Sequence, residues 1–256
     1  MHRLVLTPSA SSAVEMKVWR EPDPNYGVII SCDPGLGRMN NNKKDSSSVD
    51  VWFRHPERRI EQVAKLLTTR TAYHVGLAIG ALARWYGCGW FDGDTEILNA
   101  TINIERNMCD VPLTALQNDQ MIGYAYYFYP DEQRRRVKKA EHNTGIFTHK
   151  SASNEQYIIN TLVQYFERDA IIIRDEHTLL EVATVYKDQS GRIETNGLDS
   201  AVSCMMAVVA DAELPSIART VRPEVEEDVR EPEYGTVEWA RKNAGAMHTA
   251  ARLMRN

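Results

Sequence analysis

The chain has 256 residues, 43% of them hydrophobic and 25% charged, which is enough for one sizeable domain around its own core. A formal net charge of -5 excludes a generic polyanion binder, so any nucleic-acid contact has to come from a local basic patch. Cys32, Cys88, Cys109 and Cys204 form no C-x-x-C pair and no apolar run reaches the roughly 18 residues of a membrane span, which argues against a zinc site, a disulfide framework and a transmembrane anchor.

Residues 1–27 mix Ser, Pro and charge, with 1–17 as an N-terminal lead-in and Val14, Met16, Val18 and Trp19 as the only candidates for an ordered lead-in strand. Residues 28–32 are a continuous apolar run of strand length, the pattern of a strand covered on both faces. A polar loop over 37–45 follows, then strands over 49–53 and 59–67 that complete an antiparallel meander. Val75, Leu77, Ala78, Ile79, Leu82 and Trp85 recur at helical spacing over 72–85, and Gly87 and Gly89 stop the pattern. Residues 100–104 read as a fourth, parallel strand, and Pro112 suits the first turn of a short helix over 112–116.

An aromatic strand is expected over 124–129 and an exposed basic loop over 134–139. A helix over 153–166 has Ile158, Ile159, Leu162, Val163 and Phe166 on one face and Ser153 as its cap. Further helices are expected over 179–186 and from Asp199 through 201–209, with a short strand over 191–195 between them. Residues 213–256 accumulate Pro and acids and read as an extended tail. With no apolar secretory core at the N-terminus, these features predict a soluble, intracellular protein whose cysteines pack as small apolar residues.

Meander, helix, parallel strand and alternating helices give an α/β layer arrangement, and the order matches the ribonuclease H-like fold, a central mixed sheet flanked by helices. In that architecture the first and fourth strands lie side by side. Asp33 ends the first at the forced turn Pro34-Gly35, Glu105 ends the fourth, and Asp199 opens the last strong helix. Taken singly, Asp33 fits a turn residue, Glu105 a solvated strand end and Asp199 a helix N-cap. Taken together they fit a site for two divalent cations about 4 Å apart, which activate water and stabilise both oxygens of a phosphodiester displacement. Hard cations such as Mg²⁺ or Mn²⁺ call for carboxylates, not His or Cys.

Asp45 reads equally as an auxiliary ligand or a solvated loop acid, and His149-Lys150 as a cation near the phosphate or a surface pair. Arg134, Arg135, Arg136, Lys138 and Lys139 read as a DNA phosphate contact or a solvated face. Trp52, Trp85 and Trp90 are expected in the core. Gly35-Leu36-Gly37-Arg38 lacks the Walker spacing, and neither a G-x-S-x-G elbow nor H-E-x-x-H is present, so nucleotide hydrolase, esterase and zinc-protease activities are disfavoured.

Over residues 18–212 the chain resembles the nuclease domain of the large terminase subunit of tailed bacteriophages. Trp19-Arg20-Glu21-Pro22 with Tyr26 resembles the family's lead-in, residues 28–37 its first acidic motif, and Asp45-Ser46-Ser47-Ser48-Val49 the entry to its second strand. Ile104-Glu105-Arg106-Asn107 resembles the second motif. Gly145-Ile146-Phe147-Thr148, Leu180-Glu181 and Gly191-Arg192-Ile193-Glu194 follow the family's later order, and Gly197-Leu198-Asp199-Ser200-Ala201-Val202 resembles its third motif. Two positions depart from it: Ser200 stands where a second Asp is frequent, and Asp110 where Gly is common.

The resemblance implies a metal-dependent endonuclease that cuts concatemeric double-stranded viral DNA in the cytoplasm of an infected bacterial host. Asp33 would bridge two Mg²⁺ or Mn²⁺ ions, with Glu105 and Asp199 holding one each. It also implies a packaging ATPase domain or subunit, a small terminase and a portal as partners, and no membrane. The alternatives are another ribonuclease H-like nuclease such as a junction resolvase, or a non-catalytic module docking DNA or a packaging partner.

Overall fold

The computed structural model describes residues 2–4, 14–35, 39–40, 43–44, 46–88, 90–92, 95–105, 111–119, 152–187, 193–195 and 197–214. Its main sheet is built from β1 (His2–Leu4), β2 (Val14–Val18), β3 (Gly27–Asp33), β6 (Ser47–His55), β7 (Arg59–Thr68) and β10 (Ala100–Ile104) in the order β1-β2-β7-β6-β3-β10. A short β11 (Ile171–Ile172) runs parallel to the start of β7. Neighbours β3 and β6, β6 and β7, and β7 and β2 are antiparallel, whereas β10 runs parallel to β3. Three two-residue or three-residue ladders lie off this sheet: β4 (Met39–Asn40) with β5 (Lys43–Lys44), β8 (Trp90–Asp92) with β9 (Thr95–Ile97), and β12 (Tyr186–Lys187) with β13 (Ile193–Glu194).

Helices α1 (Ala72–Tyr86) and α2 (Val111–Asn118) cover one face, and α3 (Ala152–Glu167), α4 (Glu176–Thr184) and α5 (Asp199–Glu213) the other. The result is an α/β protein with a mixed sheet between two helical layers. Because side chains alternate along a strand, β3 sends Val28, Ile30 and Cys32 into the α1 layer and Ile29 into the α5 layer. This two-sided burial explains why β3 is apolar without alternation. Each fully buried large side chain, such as Ile29, Ile30, Trp52 or Phe53, contributes roughly 1.5–3 kcal/mol relative to an exposed one. Helices α1 and α2 cross closely at Gly76, where a Cβ would lie 2.5 Å from the Pro112 carbonyl oxygen.

The register slips between Val51 and Trp52, so that Val51 faces Ala64 but Trp52 faces Gln62. Val63 is therefore the extra residue of a β-bulge, and Gln62 and Lys65, three apart, come to the same face. Both side chains reach the fully buried Asp50. Gln62 Nε2 donates to Asp50 Oδ1 at 2.6 Å, and Lys65 Nζ lies 3.8 Å from the same oxygen.

Several elements differ locally from the sequence-based expectation. Ser153 is inside α3, not its cap, and α3 buries Ile158 and Leu162 while Val163 and Phe166 are exposed. The helix expected over 179–186 starts earlier and ends at Thr184, and Tyr186 belongs to a strand. The 37–45 loop contains the β4-β5 ladder. Trp52 is fully buried as expected, but Trp85 is exposed. After α1 the left-handed turn residue is Cys88, at φ 45°, and Gly87 remains right-handed. Among the described residues no helix is long and apolar enough to cross a membrane.

Candidate metal centre at the ends of β3 and β10

Parallel pairing carries Ile104 level with Cys32, and the Glu105 amide then donates to the Cys32 carbonyl at 2.8 Å. Glu105 is thus one step past Ile104, beside Asp33 at the neighbouring strand end. Asp33 alternates with Ile29 and Ser31, on the face covered by α5. Ser31 Oγ contacts Ser203 Oγ of α5 at 3.1 Å, and Asn103 Nδ2 donates to the Met206 carbonyl at 2.8 Å.

Helix α5 runs antiparallel to β3. Its far end is fixed where Arg54, opposite Gly27, donates through Nε to Asp211 at 2.5 Å, and its middle where Ser203 meets Ser31. From that contact, two residues up the strand to Asp33 advance about 6.6 Å. One turn up the helix to Asp199 advances about 6 Å. The matched advances bring Asp33, Glu105 and Asp199 to one end and one face of the sheet. Glu105 is buried, and Asp33 and Asp199 are half-buried.

The loop after β3 fixes Asp199 from the other side. Gly35 N donates to Ser47 Oγ at 2.9 Å, and a Cβ on Gly35 would lie 2.1 Å from the Ser46 carbonyl oxygen, so only glycine fits this approach. Ser46, seated there, donates its hydroxyl to Asp199 Oδ2 at 2.5 Å. The concentration of acids is felt by the buried Cys32 thiol, which is pushed well above its ordinary value by burial first and then by Asp33, Asp50, Glu105 and Asp199.

Asp199 is the first residue of α5 and not its N-cap; Leu198 occupies that position and offers no side-chain bond. The free amides at this terminus are met from another helix: Glu181 Oε2 of α4 accepts from Ser200 N at 2.8 Å and from Ala201 N at 3.0 Å. Glu181 Oε1 pairs with His177 Nε2 at 2.8 Å. Ser200 is fully buried, with its hydroxyl 3.5 Å from that of Ser48, which in turn donates to Asp50 Oδ2 at 3.2 Å. The second position of the Asp199-Ser200 pair is therefore buried over Ser48, the cross-strand neighbour of Asp33.

The donor set at this end, carboxylate oxygens from two strand ends and a helix start, suits a hard divalent cation. One register step below Glu105, the buried Asn103 Oδ1 is an oxygen acceptor without a hydrogen-bond partner among the described residues. Among the described residues, however, no three His, Cys, Asp or Glu side chains surround a common point in ligating geometry. The acids share an end of the sheet, and an ion would have to draw them together. Asp45, Lys150 and the basic cluster Arg134, Arg135, Arg136, Lys138 and Lys139 lie outside the described residues, as do the 124–129 strand and the tail beyond Leu214; Glu213, expected to open that tail, is instead the last residue of α5.

Residues that sequence reasoning passed over lie beside this end, under α4. Asp175 caps α4, accepting from Thr178 N at 3.0 Å, and binds Lys17 Nζ at 2.7 Å and Lys65 Nζ at 3.2 Å. Lys65 Nζ also donates to Thr178 Oγ1 at 2.7 Å, while Gln62 Oε1 accepts from the amides of Arg174 and Asp175. The signal was present, since Asp50, Gln62 and Lys65 are polar residues within strands otherwise buried on both faces. No protein-family model matches the chain, and no curated protein matches it.

Proposed function

We propose that the chain is a ribonuclease H-like, divalent-metal-dependent endonuclease of the kind found in the large terminase subunit, cutting double-stranded viral DNA during genome packaging. The observation that carries this reading is the strand order around β3. A central strand has an antiparallel meander on one side and a parallel strand on the other, and acids leave the carboxyl ends of both parallel strands and the start of a facing helix. Ligand sites in open α/β sheets favour the crevice outside such strand ends.

Asp33, Glu105 and Asp199 would hold the ions. When bound, Mg²⁺ or Mn²⁺ supplies an activated water and neutralises charge on the scissile phosphate. The protein's own part is to fix the carboxylates. Asp33 is anchored by the β3 ladder and the turn at Gly35, Glu105 by its amide bond to Cys32, and Asp199 by Ser46. In a packaging setting the partners are double-stranded DNA, a packaging ATPase domain or subunit, the small terminase and the portal, in the cytoplasm of the infected bacterium.

The buried Ser200 and the absence of a closed three-ligand group among the described residues favour a second reading, a non-catalytic module that docks DNA or a packaging partner. One experiment separates the two. Supercoiled plasmid with Mn²⁺ is nicked by the wild type and not by Asp33→Asn, with the rate down ~100-fold or more. Plasmid that stays intact with the wild type, yet shifts in a binding gel, supports the docking module. Equal cutting by Asp33→Asn overturns the assignment of Asp33. Preference for a four-way junction over linear duplex points to a resolvase.

A further inference from the structure

We propose that Glu181 is a positioning residue for Asp199: by occupying the free amides at the start of α5, it leaves the Asp199 carboxylate to the acidic end of the sheet. The first turn of a helix carries amide donors with no partner inside the helix, and a nearby carboxylate is drawn to them. In α5 no side chain at the N-cap meets that need, because the residue there is Leu198. Asp199, next in sequence, is the nearest acid of the helix itself. A bond from its own carboxylate to Ser200 N or Ala201 N would turn it away from Asp33 and Glu105.

Glu181 removes that competition. Its Oε2 accepts from both amides, and its Oε1 is held by His177 one turn earlier on α4, so the carboxylate is oriented at both oxygens. The Glu181 side chain is nearly buried, at 11% exposure, which excludes water as an easy replacement. Asp199 is left to accept from Ser46 on the opposite side, in the loop that follows β3. Glu181 thus acts on the site through the helix terminus, without being one of the acids that would touch an ion.

The consequence for metal rests on the endonuclease reading; the consequence for Asp199 does not. In a crystal structure of Glu181→Ala, the Asp199 carboxylate leaves Ser46 and bonds the amides of Ser200 and Ala201. Mn²⁺ binding followed by the paramagnetic resonance of the free ion weakens on the order of tenfold, the usual scale for losing a residue that orients a ligand. Glu181→Gln keeps an acceptor oxygen at the same reach and restores both the position of Asp199 and the Mn²⁺ affinity, which a general loss of stability would not produce. If Glu181→Ala does not fold, Glu181→Asp, one methylene short of the amides, serves the same two measurements. Asp199 remaining on Ser46 in the variant overturns the proposal. A wild type that neither binds Mn²⁺ nor cuts DNA ends the endonuclease reading, and the position of Asp199 in the variant crystal still decides the role of Glu181.

Discussion

Where β7 meets β2 and α4, buried acids meet cations: Asp175 has Lys17 and Lys65, Glu61 has Arg20 and Arg174, and across the sheet Asp211 has Arg54. Where β3 and β10 end, the topology carries three acids toward one another, and Asp199 takes its bond from a neutral hydroxyl. Asp175, Asp211 and the acidic end lie along the α5 face of the same sheet, while Glu61, opposite Phe53, lies on the α1 face; cross-strand pairing runs from Asp33 to Ser48 to Leu67 to Glu15 between the two regions. The contrast separates two uses of buried charge. In the first region opposite charges satisfy each other and join strands to helices. In the second, backbone ladders and the hydroxyl of Ser46 bring acids from two strand ends and a helix start to one end of the sheet.

The sharpest way to break the first region is to remove Lys65. Its ammonium and the Asp50 carboxylate are almost wholly buried, and Asp175 shares the same cation. Taking away one member of a buried pair leaves the other charge without compensation, which costs about 3–5 kcal/mol. Lys65→Met should lower the unfolding free energy from urea titration by that amount. The double variant Asp50→Asn/Lys65→Met should recover part of the loss, since the stranded charge goes too. A loss below about 1 kcal/mol in the single variant would show that Gln62 and Ser48 alone suffice for Asp50.

Legibility from the sequence followed the same divide. The apolar runs that became β3 and β6, the alternating run that became β10 and the helical spacing of α1 predicted their elements closely, because burial leaves a direct imprint on hydrophobicity. The order of those elements was enough to bring Asp33 and Glu105 side by side, and Asp199 was correctly read as a helix start. What escaped were features fixed by geometry between distant residues. No local pattern announces the bulge at Val63, yet it alone puts Gln62 and Lys65 on one face. Glu181 serves a helix 18 residues further on, so the capping role weighed for Asp199 taken singly falls to a residue that no local pattern points to. Ile158, Ile159 and Leu162 pack against α5 as their spacing predicted, but Val163 and Phe166 of the same predicted stripe are exposed.

A gentler perturbation of the paired region is pH. Burial by itself would raise the Asp175 carboxyl, but the hydrogen bond from Lys17, the charge of Lys65 and the Thr178 amide outweigh it and lower the value to about 2. A carboxyl lower in the folded than in the unfolded chain stabilises the fold at any pH above its unfolded value, near 4. That stabilisation is lost as pH falls through about 2. Comparing unfolding free energies of wild type and Asp175→Asn by urea titration from pH 5 to pH 2 should show the wild-type advantage shrinking across this window, by about 2 kcal/mol in all. An advantage that stays constant with pH would mean that Asp175 works as a neutral cap and not as an ion-pair partner.

The smallest effect on stability is expected at the acidic end. Asp199→Asn keeps an oxygen that can accept from Ser46 and changes only the charge. Losing an anion in the first turn of α5 costs about 0.3–1 kcal/mol through the helix dipole. Losing its repulsion with Asp33 and Glu105 returns about 1 kcal/mol or less in a partly hydrated setting. The two nearly cancel, so the unfolding free energy of Asp199→Asn from urea titration should stay within about 1 kcal/mol of the wild type while any Mn²⁺ affinity falls. A loss of 3 kcal/mol or more, on the scale of Lys65→Met, would make Asp199 a structural acid and erase the distinction between the two regions.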